Sequence, residues 1–279
     1  MKVFKVHRDV HDALKEEEFK TIGLVPTMGA LHEGHLSLIR QSVSENQLTI
    51  VSIFVNPTQF DELQDLENYP KTLASDLNKL EKIPGSVWAY TPSPSDLYQD
   101  NIKAQKYDLG PLENCMEGAS REGHFQGVAT VVDKLLTLFS PTRAYFGEKD
   151  FQQLKIIRRM VQLRQLNVTI VDCPICREDD GLAMSSRNAR LSPKERKLAP
   201  VIYHTMLKAK AMKEKHTPTE IMAWTEDTFK EFPELTLDYF SIVNQENLET
   251  IEVFNEQINA RAFIAVKLGD VRLIDNLKF

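Results

Sequence analysis

Two histidines, His32 and His35, lie three residues apart in the segment GALHEGHLSLIRQ. An apolar run, TIGLVPT, precedes the segment and apolar residues at helical spacing follow it, which predicts a strand, a short joint and a helix. At such a joint, imidazoles can donate hydrogen bonds to phosphate oxygens whose charge grows during attack at phosphorus. Gly29 and Gly34 would let the backbone approach the phosphate, and the new helix would offer it unpaired N–H groups.

Other interpretations of HEGH can be compared with the sequence. A metalloprotease helix carries His-Glu-x-x-His, and HEGH is one residue short of that pattern. The Walker pattern Gly-x-x-x-x-Gly-Lys-Ser/Thr is absent from the segment. Histidines that only cap the helix remain an alternative, which the strand before them and the helix after them make less favourable.

Three further segments place polar side chains directly after strand-like runs: FVNPTQF, YFGEKDFQQL and DDGLAMSSRN. In an open parallel sheet, ligands bind at the carboxyl ends of the strands. Asn56 and Gln59 suit the hydroxyl and carboxylate groups of a small substrate, whereas Lys149 and Arg187 suit phosphate. Asp150 is expected to cap the helix that follows it. Taken alone, each segment is also compatible with an ordinary turn.

The first half of the chain alternates strand-like and helical patterns, which predicts an α/β fold with a Rossmann-like parallel sheet covered on both faces. We place this domain at residues 1–174. Residues 175–279 are expected to form a smaller α+β domain that carries the MSSRN loop. Its predicted elements are a helix over 192–215, a helix over 217–232 and three strands, the last two joined in a hairpin at Gly269-Asp270.

The composition excludes several classes of protein. Among 279 residues, 34 are Lys or Arg and 40 are Asp or Glu, a balance that argues against a nucleic-acid-binding protein. No apolar run is long enough to span a membrane, and the amino-terminal segment lacks the apolar core of a signal peptide. We therefore expect a cytoplasmic protein without a membrane partner.

Three cysteines, one of which is Cys115 and two of which lie in the segment CPIC, give an odd and low count. Such a count argues against a disulfide framework. The CPIC spacing is typical of zinc sites and redox motifs, so a zinc or redox module is one alternative for this chain. No second pair of zinc ligands lies nearby in the sequence, which favours a structural role for both cysteines.

Five segments together resemble the pantothenate synthetase (pantoate–β-alanine ligase) family in order and spacing. They are PTMGALHEGH, VNPTQF, REGHFQGVATVV, FGEKDFQQL and DGLAMSSRN, and the similarity covers essentially the whole chain. The family is part of the HIGH-type nucleotidylyltransferases, related in fold to class I aminoacyl-tRNA synthetases. HEGH stands in the HIGH position, and MSSRN is similar to the KMSKS-type loop.

The resemblance implies a two-step reaction that belongs to the biosynthesis of vitamin B5 and coenzyme A. The carboxylate of (R)-pantoate attacks ATP to give pantoyl adenylate and pyrophosphate. The amine of β-alanine then displaces AMP to give pantothenate. The resemblance further implies ATP as a substrate, Mg²⁺ as a cofactor and a homodimer, with the apolar helix from Phe125 to Phe139 helping to cover the dimer surface.

The same resemblance implies roles for individual residues. The catalytic set is His32, His35, Lys149, Ser185, Ser186 and Arg187. The ATP site comprises Met28, Gly29, Ala30, Leu31, His32, Glu33, Gly34, His35, Gly147, Glu148, Lys149, Asp150, Cys176, Met184, Ser185, Ser186 and Arg187. Pantoate is assigned to Gln59 and Gln153, β-alanine to Gln59, and Mg²⁺ to Asp76. No role follows for Arg121 and His124, beyond the start of a helix.

One further enzyme class remains open at this point. A nucleotidyltransferase that keeps the nucleotide in its product could use the same HEGH joint. Such an enzyme needs a cationic site for an acceptor phosphate, whereas paired neutral glutamines suit a hydroxy acid.

Overall fold

The computed structural model describes residues 1–99 and 101–279, and these form two compact units. The first unit comprises Met1–Glu148 and Gln152–Pro174, and the second comprises Lys149–Phe151 and Ile175–Phe279. Segment 149–151, which the sequence assigned to the first domain, therefore belongs to the second unit. The ring of Phe151 explains this, because it packs against Phe263 and under the guanidinium of Arg261.

The first unit contains a six-stranded sheet with helices along the chain between the strands. Its strands are β1 (Lys2–Phe4), β2 (Ile22–Thr27), β3 (Leu48–Ile53), β4 (Val87–Tyr90), β5 (Arg143–Gly147) and β6 (Thr169–Cys173). Its helices are α1 (His7–Glu16), α2 (Glu33–Glu45), α3 (Leu63–Glu67), α4 (Leu73–Glu81), α5 (Pro94–Tyr98), α6 (Met116–Ser120), α7 (His124–Phe139) and α8 (Phe151–Arg164).

All strand pairs in this sheet are parallel, in the order β1-β4-β3-β2-β5-β6. The chain moves outward from β2 through β3 and β4, and then returns to place β5 on the other side of β2. This reversal creates a topological switch point at the carboxyl ends of β2 and β5, where open α/β sheets bind ligands. The predicted Rossmann-like parallel sheet is confirmed, with β1 as an additional edge strand that the sequence did not predict.

The central strands have the composition that burial on both faces requires. Five of the six residues of β3, LTIVSI, are buried, as expected for a strand between two helical layers. Helix α2 packs its apolar stripe, which includes Leu36, Leu38 and Ile39, into the same core. This packing fixes the position of the joint between β2 and α2.

Helix α7 is buried along most of its length within the first unit. Its apolar residues pack inside the unit, so α7 itself presents no exposed apolar face for a second copy. The suggestion that this helix helps to cover a dimer surface therefore finds no support in its burial. At Gly127, α7 lies directly against the turn after β3, where a Cβ atom would come within 2.1 Å of the Thr58 carbonyl oxygen.

The second unit consists of helices and one antiparallel sheet. Its helices are α9 (Pro193–Leu198), α10 (Val201–Ala211) and α11 (Pro218–Lys230), and its strands are β7 (Leu235–Asn244), β8 (Ala260–Leu268) and β9 (Val271–Lys278). The strands pair in the order β7-β8-β9, and the predicted hairpin at Gly269-Asp270 is confirmed. Among the described residues, no helix is both long and apolar enough to cross a membrane.

The prediction of one continuous helix over 192–215 was wrong. Two helices, α9 and α10, occupy this region, and Pro200 lies between them as the residue before α10. A proline inside a helix removes a backbone donor and clashes with the preceding turn, so the chain restarts there. Helix α9 begins with a capping box made by Ser192 and Glu195.

We expect Gly127→Ala to lower the free energy of unfolding by about 1–3 kcal/mol, because the new methyl group must displace the backbone at Thr58 and Gln59. Urea unfolding followed by circular dichroism measures the change. Gly147→Ala is the matched control, since a Cβ atom there meets nothing within 4 Å. Equal stability of Gly127→Ala and wild type would show that this contact does not constrain the packing.

Candidate active site

The loop between β2 and α2 turns sharply through two consecutive left-handed residues. Gly29 has φ of 82° and Ala30 has φ of 49°. The hydroxyl of Thr27 starts the turn: it donates to the Ser52 carbonyl at 2.7 Å and accepts the Gly29 N–H at 3.2 Å. Glycine takes this conformation without cost, whereas alanine requires support from its surroundings.

That support comes from Asp76 on α4, whose side chain is fully buried. Its carboxylate accepts the N–H of Ala30 at 2.9 Å and the N–H of Leu31 at 2.8 Å. The hydroxyl of Thr72 donates to the same carboxylate at 3.1 Å and 3.2 Å. Since both oxygens already accept hydrogen bonds away from solvent, this carboxylate does not fit the Mg²⁺ position that the resemblance implies.

The two histidines form a reciprocal cap at the start of α2. His32 is the N-cap residue, and its Nδ1 accepts the N–H of Gly34 at 3.1 Å. His35 returns the contact, because its Nδ1 accepts the N–H of His32 at 3.4 Å. The two ring centroids lie 4.1 Å apart, so both imidazoles project to the same side.

These contacts determine which atom of each ring acts as a donor. A neutral imidazole that accepts at Nδ1 carries its proton at Nε2. The expectation that the helix offers its unpaired N–H groups to a phosphate was wrong for Gly34, whose N–H is taken by His32. The amides of Ala30 and Leu31 are likewise taken by Asp76. The hydrogen-bond donors that suit a phosphate here are therefore the imidazole Nε2–H groups.

Gln59 lies in a buried amide network beside this loop. Its Oε1 accepts from Asn56 Nδ2 at 3.0 Å, and its Nε2 donates to the Met28 sulfur at 3.2 Å. Asn56 also donates to the Gly127 carbonyl and accepts from the Tyr98 hydroxyl at 2.6 Å. Burial raises the pKa of Tyr98, so its hydroxyl remains a donor. The network fixes which end of each amide is the acceptor.

His124 and Arg121 hold the main chain of Gln59, a role that the sequence did not reveal. His124 Nδ1 lies 2.7 Å from the Gln59 carbonyl oxygen, and Arg121 contacts the same oxygen at 3.4 Å. Arg121 in turn pairs with Asp61 at 3.0 Å and contacts His124 Nε2. A carbonyl partner requires the proton at Nδ1, so His124 has the tautomer opposite to that of the capping histidines.

The predicted site residues divide between the two compact units. The first unit holds Met28, Gly29, Ala30, Leu31, His32, Glu33, Gly34, His35, Gln59, Asp76, Gly147, Glu148 and Gln153. The second unit holds Lys149, Asp150, Cys176, Met184, Ser185, Ser186 and Arg187. Asp150 directly precedes α8, at the end of a short 3₁₀ turn over residues 148–150, and its predicted role as the helix cap stays a prediction.

Within the second unit, the MSSRN segment begins beside Cys176. The Cys176 carbonyl accepts the N–H of Met184 at 3.0 Å. Ser185 then caps a 3₁₀ turn, Ser186–Arg190, by accepting the Arg187 N–H. The sequence predicted this segment as a loop, and the capped turn gives its serines a defined backbone.

A buried ion pair anchors the start of the same region. Arg177 donates to both carboxylate oxygens of Asp275, at 2.6 Å and 3.0 Å, and its guanidinium stacks on the ring of Tyr203. Bidentate geometry of this kind restricts the orientation of both partners. On the neighbouring residue of β9, Asn276 donates to the Lys149 carbonyl at 2.8 Å, which ties segment 149–151 to this strand.

Of the two cysteines of CPIC, Cys173 is buried and Cys176 is half-buried. Cys173 is buried on β6, and burial, followed by nearby carboxylates, raises the pKa of its thiol to about 12. A thiol of this kind is protonated at neutral pH, which disfavours metal binding and disulfide exchange. Among the described residues, no group of three or more His, Cys, Asp or Glu side chains is arranged to hold a metal ion.

Comparison with known proteins identifies the family. The model of the family described as pantoate-beta-alanine ligase matches residues 2–278. The chain belongs to the pantoate–β-alanine ligase family. The HEGH joint, the Gln59 network and the MSSRN turn therefore occur in a chain that matches this ligase family along almost its entire length.

Relatives in the ligase family match the chain end to end. The pantothenate synthetase of Bacteroides fragilis is 47% identical and that of Flavobacterium psychrophilum is 46% identical, each over 99% or more of both chains. The crystal structure of the Thermus thermophilus enzyme superposes with a TM-score of 0.92 at 39% identity, covering 100% of this chain and 99% of that one.

A pantoate–β-alanine ligase from Francisella tularensis was crystallised as a complex with an ATP ligand and β-alanine. Its structure superposes with a TM-score of 0.83 at 35% identity, covering 100% of this chain and 97% of that one.

The buried His124 predicts a pH dependence of stability. Burial and the neighbouring Arg121 lower the pKa of His124 from 6.5 to about 4. Between these two values the unfolded chain binds a proton that the folded protein excludes, so the folded state loses stability as the pH falls. The loss reaches roughly 3 kcal/mol near pH 4, and no such penalty applies above pH 6.5.

Urea unfolding at a series of pH values between 7 and 4 measures this effect. His124→Asn keeps a donor for the Gln59 carbonyl but cannot titrate, so its stability should fall less steeply with decreasing pH than that of wild type. His204→Asn, at an exposed position, is the control and should follow wild type. Parallel curves for wild type and His124→Asn would contradict the assignment.

Proposed function

We propose that the protein condenses pantoate with β-alanine to form pantothenate, and that it uses ATP and releases AMP and pyrophosphate. The observation that carries this proposal is the pair of imidazoles, His32 and His35, which cap α2 at the switch point of the sheet with 4.1 Å between their ring centroids. Membership of the ligase family supports it, as does the Francisella tularensis relative in complex with ATP and β-alanine.

In the first step, a pantoate carboxylate oxygen attacks the α-phosphorus of ATP. The bond between this phosphorus and the bridging oxygen to the β-phosphate breaks, and pyrophosphate leaves with the electron pair. Negative charge grows on the phosphate oxygens during this attack. Nε2–H donors of His32 and His35 stabilise that charge, and they do so from rings that the reciprocal cap has already oriented.

In the second step, the β-alanine nitrogen attacks the acyl carbon of pantoyl adenylate. The acyl–oxygen bond to AMP breaks and the ammonium intermediate loses a proton to the medium. No covalent bond to the protein is needed, because AMP is already a good leaving group.

Neutral amide side chains suit the two small substrates, pantoate and β-alanine. Gln59 is assigned to pantoate and to β-alanine, and Gln153 in the first turn of α8 is assigned to pantoate. The amide of Gln59 is held by Asn56 and Met28, so its orientation is set before substrate arrives. Preset orientation lowers the entropic cost of positioning two reactants.

Residues of the second unit are assigned to the nucleotide. Lys149, Ser185, Ser186 and Arg187 are proposed to bind phosphate oxygens, and the main chain of Cys176 is proposed to bind adenine. Mg²⁺ is proposed to arrive with the triphosphate as MgATP. A homodimer, which the resemblance implies, and a cytoplasmic location, which was expected from the sequence pattern, stay predictions.

A nucleotidyltransferase that keeps the nucleotide in its product is the rival function. Such an enzyme would need cationic side chains where the acceptor phosphate binds. The side-chain amide of Gln59 instead contacts the amide of Asn56 and the thioether of Met28, whereas Arg121 reaches only the main chain of Gln59 and is paired with Asp61. This neutral environment favours a hydroxy acid as the second substrate.

Incubation of the protein with MgATP, pantoate and β-alanine tests the function. We expect AMP and pantothenate to form in equal amounts, measured by chromatography, and AMP release to require both small substrates. Parallel incubations that lack pantoate or β-alanine are the controls. Absence of pantothenate from folded protein would overturn the proposed function.

We expect His35→Ala to lower kcat by about 100-fold or more, because it removes a donor to the charge that develops in the transition state. Steady-state kinetics at saturating ATP measure the change. His11→Ala, which removes an exposed histidine from α1, is the control and should retain the wild-type rate. A near-normal rate for His35→Ala would remove this residue from the mechanism.

A further inference from the structure

Helix α4 binds three backbone groups of the loop between β2 and α2. Asp76 accepts the N–H groups of Ala30 and Leu31, and Lys79 donates from its Nζ atom to the Leu31 carbonyl oxygen. The two side chains are three residues apart, and they therefore project from the same face of α4. Helix α4 thus binds the N–H groups of Ala30 and Leu31 as well as the carbonyl group of Leu31.

The conformation that α4 holds is unfavourable without such support. Ala30 has a left-handed backbone, which places its Cβ atom close to neighbouring backbone atoms. Two adjacent amides also point in one direction, toward the Asp76 carboxylate, where they would repel each other without an anion between them. The buried carboxylate of Asp76 lies between the two amides and accepts a hydrogen bond from each.

The position of Asp76 is unsuited to a magnesium ligand. Mg²⁺ retains several waters and requires oxygen atoms at octahedral positions. The Asp76 side chain is fully buried, and each of its oxygens accepts one amide hydrogen bond and a contact from Thr72. A metal ion there would displace the loop, and the ammonium group of Lys79, one turn away, would repel it.

We propose that Asp76 and Lys79 are positioning residues of the phosphate site. They hold Ala30 and Leu31 in the conformation that places His32 at the start of α2, and through the reciprocal cap they also orient His35. In this role Asp76 is the internal anion of the loop and does not bind magnesium. The effect on catalysis rests on the proposed function, whereas the effect on the histidines does not.

The variant Asp76→Asn tests the carboxylate. Asparagine keeps the size of the side chain, but it presents an NH₂ group to one of the two loop amides. We expect kcat to fall by about 10- to 100-fold, since small misplacements of catalytic groups cause losses of this size. The Mg²⁺ concentration for half-maximal rate should stay within about 2-fold of wild type, because the metal does not bind at Asp76.

A second measurement on Asp76→Asn uses the protein without nucleotide or metal. The imidazole nitrogen signals of His32 and His35, observed by NMR with ¹⁵N-labelled histidine, should shift relative to wild type. Those of His11, an exposed residue of α1, should not. This readout decides the positioning role even if the wild-type protein makes no pantothenate, and it thus separates failure of the inference from failure of the proposed function.

The variant Lys79→Met tests the second contact. It keeps the inference testable if Asp76→Asn does not fold. We expect it to lower kcat and to shift the signals of His32 and His35, again with an unchanged Mg²⁺ requirement. Lys82→Met is the matched control, because Lys82 is an exposed cation at the end of the same helix. It should behave as wild type in both measurements.

Three results would overturn the inference. One is an Mg²⁺ requirement raised about 10-fold or more in Asp76→Asn with kcat restored at saturating metal, which is the behaviour of a lost ligand. A second is unchanged histidine signals in both Asp76→Asn and Lys79→Met. A third is a lowered Mg²⁺ requirement in Lys79→Met with kcat retained, because it would place the metal near this cation.

Discussion

The contact between the Asp76 carboxylate and the amides of Ala30 and Leu31 is the constraint on which the candidate site depends. It holds the left-handed Ala30 and the next residue, Leu31, between a buried strand and the helix that follows. His32, the residue that follows them, begins α2 as its N-cap. A buried carboxylate therefore shapes the loop that is proposed to bind phosphate.

A consequence for electrostatics follows from this arrangement. The amino end of α2 still carries the positive end of the helix dipole, but its nearby amides are engaged by imidazole nitrogens and a carboxylate. The Nε2–H groups of His32 and His35 are therefore the donors that we propose for the ligand. Imidazole donors reach further than backbone amides and can change protonation, whereas amides cannot.

The fold was largely predictable from the sequence because local patterns determined it. Strand β3 is a continuous apolar run stopped by Asn-Pro, and the spacing of apolar residues identified α2 and α7. The break between α9 and α10 was also visible as Pro200, although the apolar pattern on both sides suggested one helix. The roles of Asp76 and His124 were not predictable, because their partners lie 45 and 65 residues away in the sequence.

Residues Lys149–Phe151 pack with the second unit although the chain on both sides of them belongs to the first. The polypeptide therefore passes from one unit to the other three times. Cleavage after Pro174 would leave the amino-terminal fragment with the aromatic ring of Phe151 and without the strand residues that cover it. The two units are consequently not independent modules that recombination could exchange at a single crossover point, and any natural or designed chimera would need to transfer this tripeptide together with the carboxyl-terminal sheet.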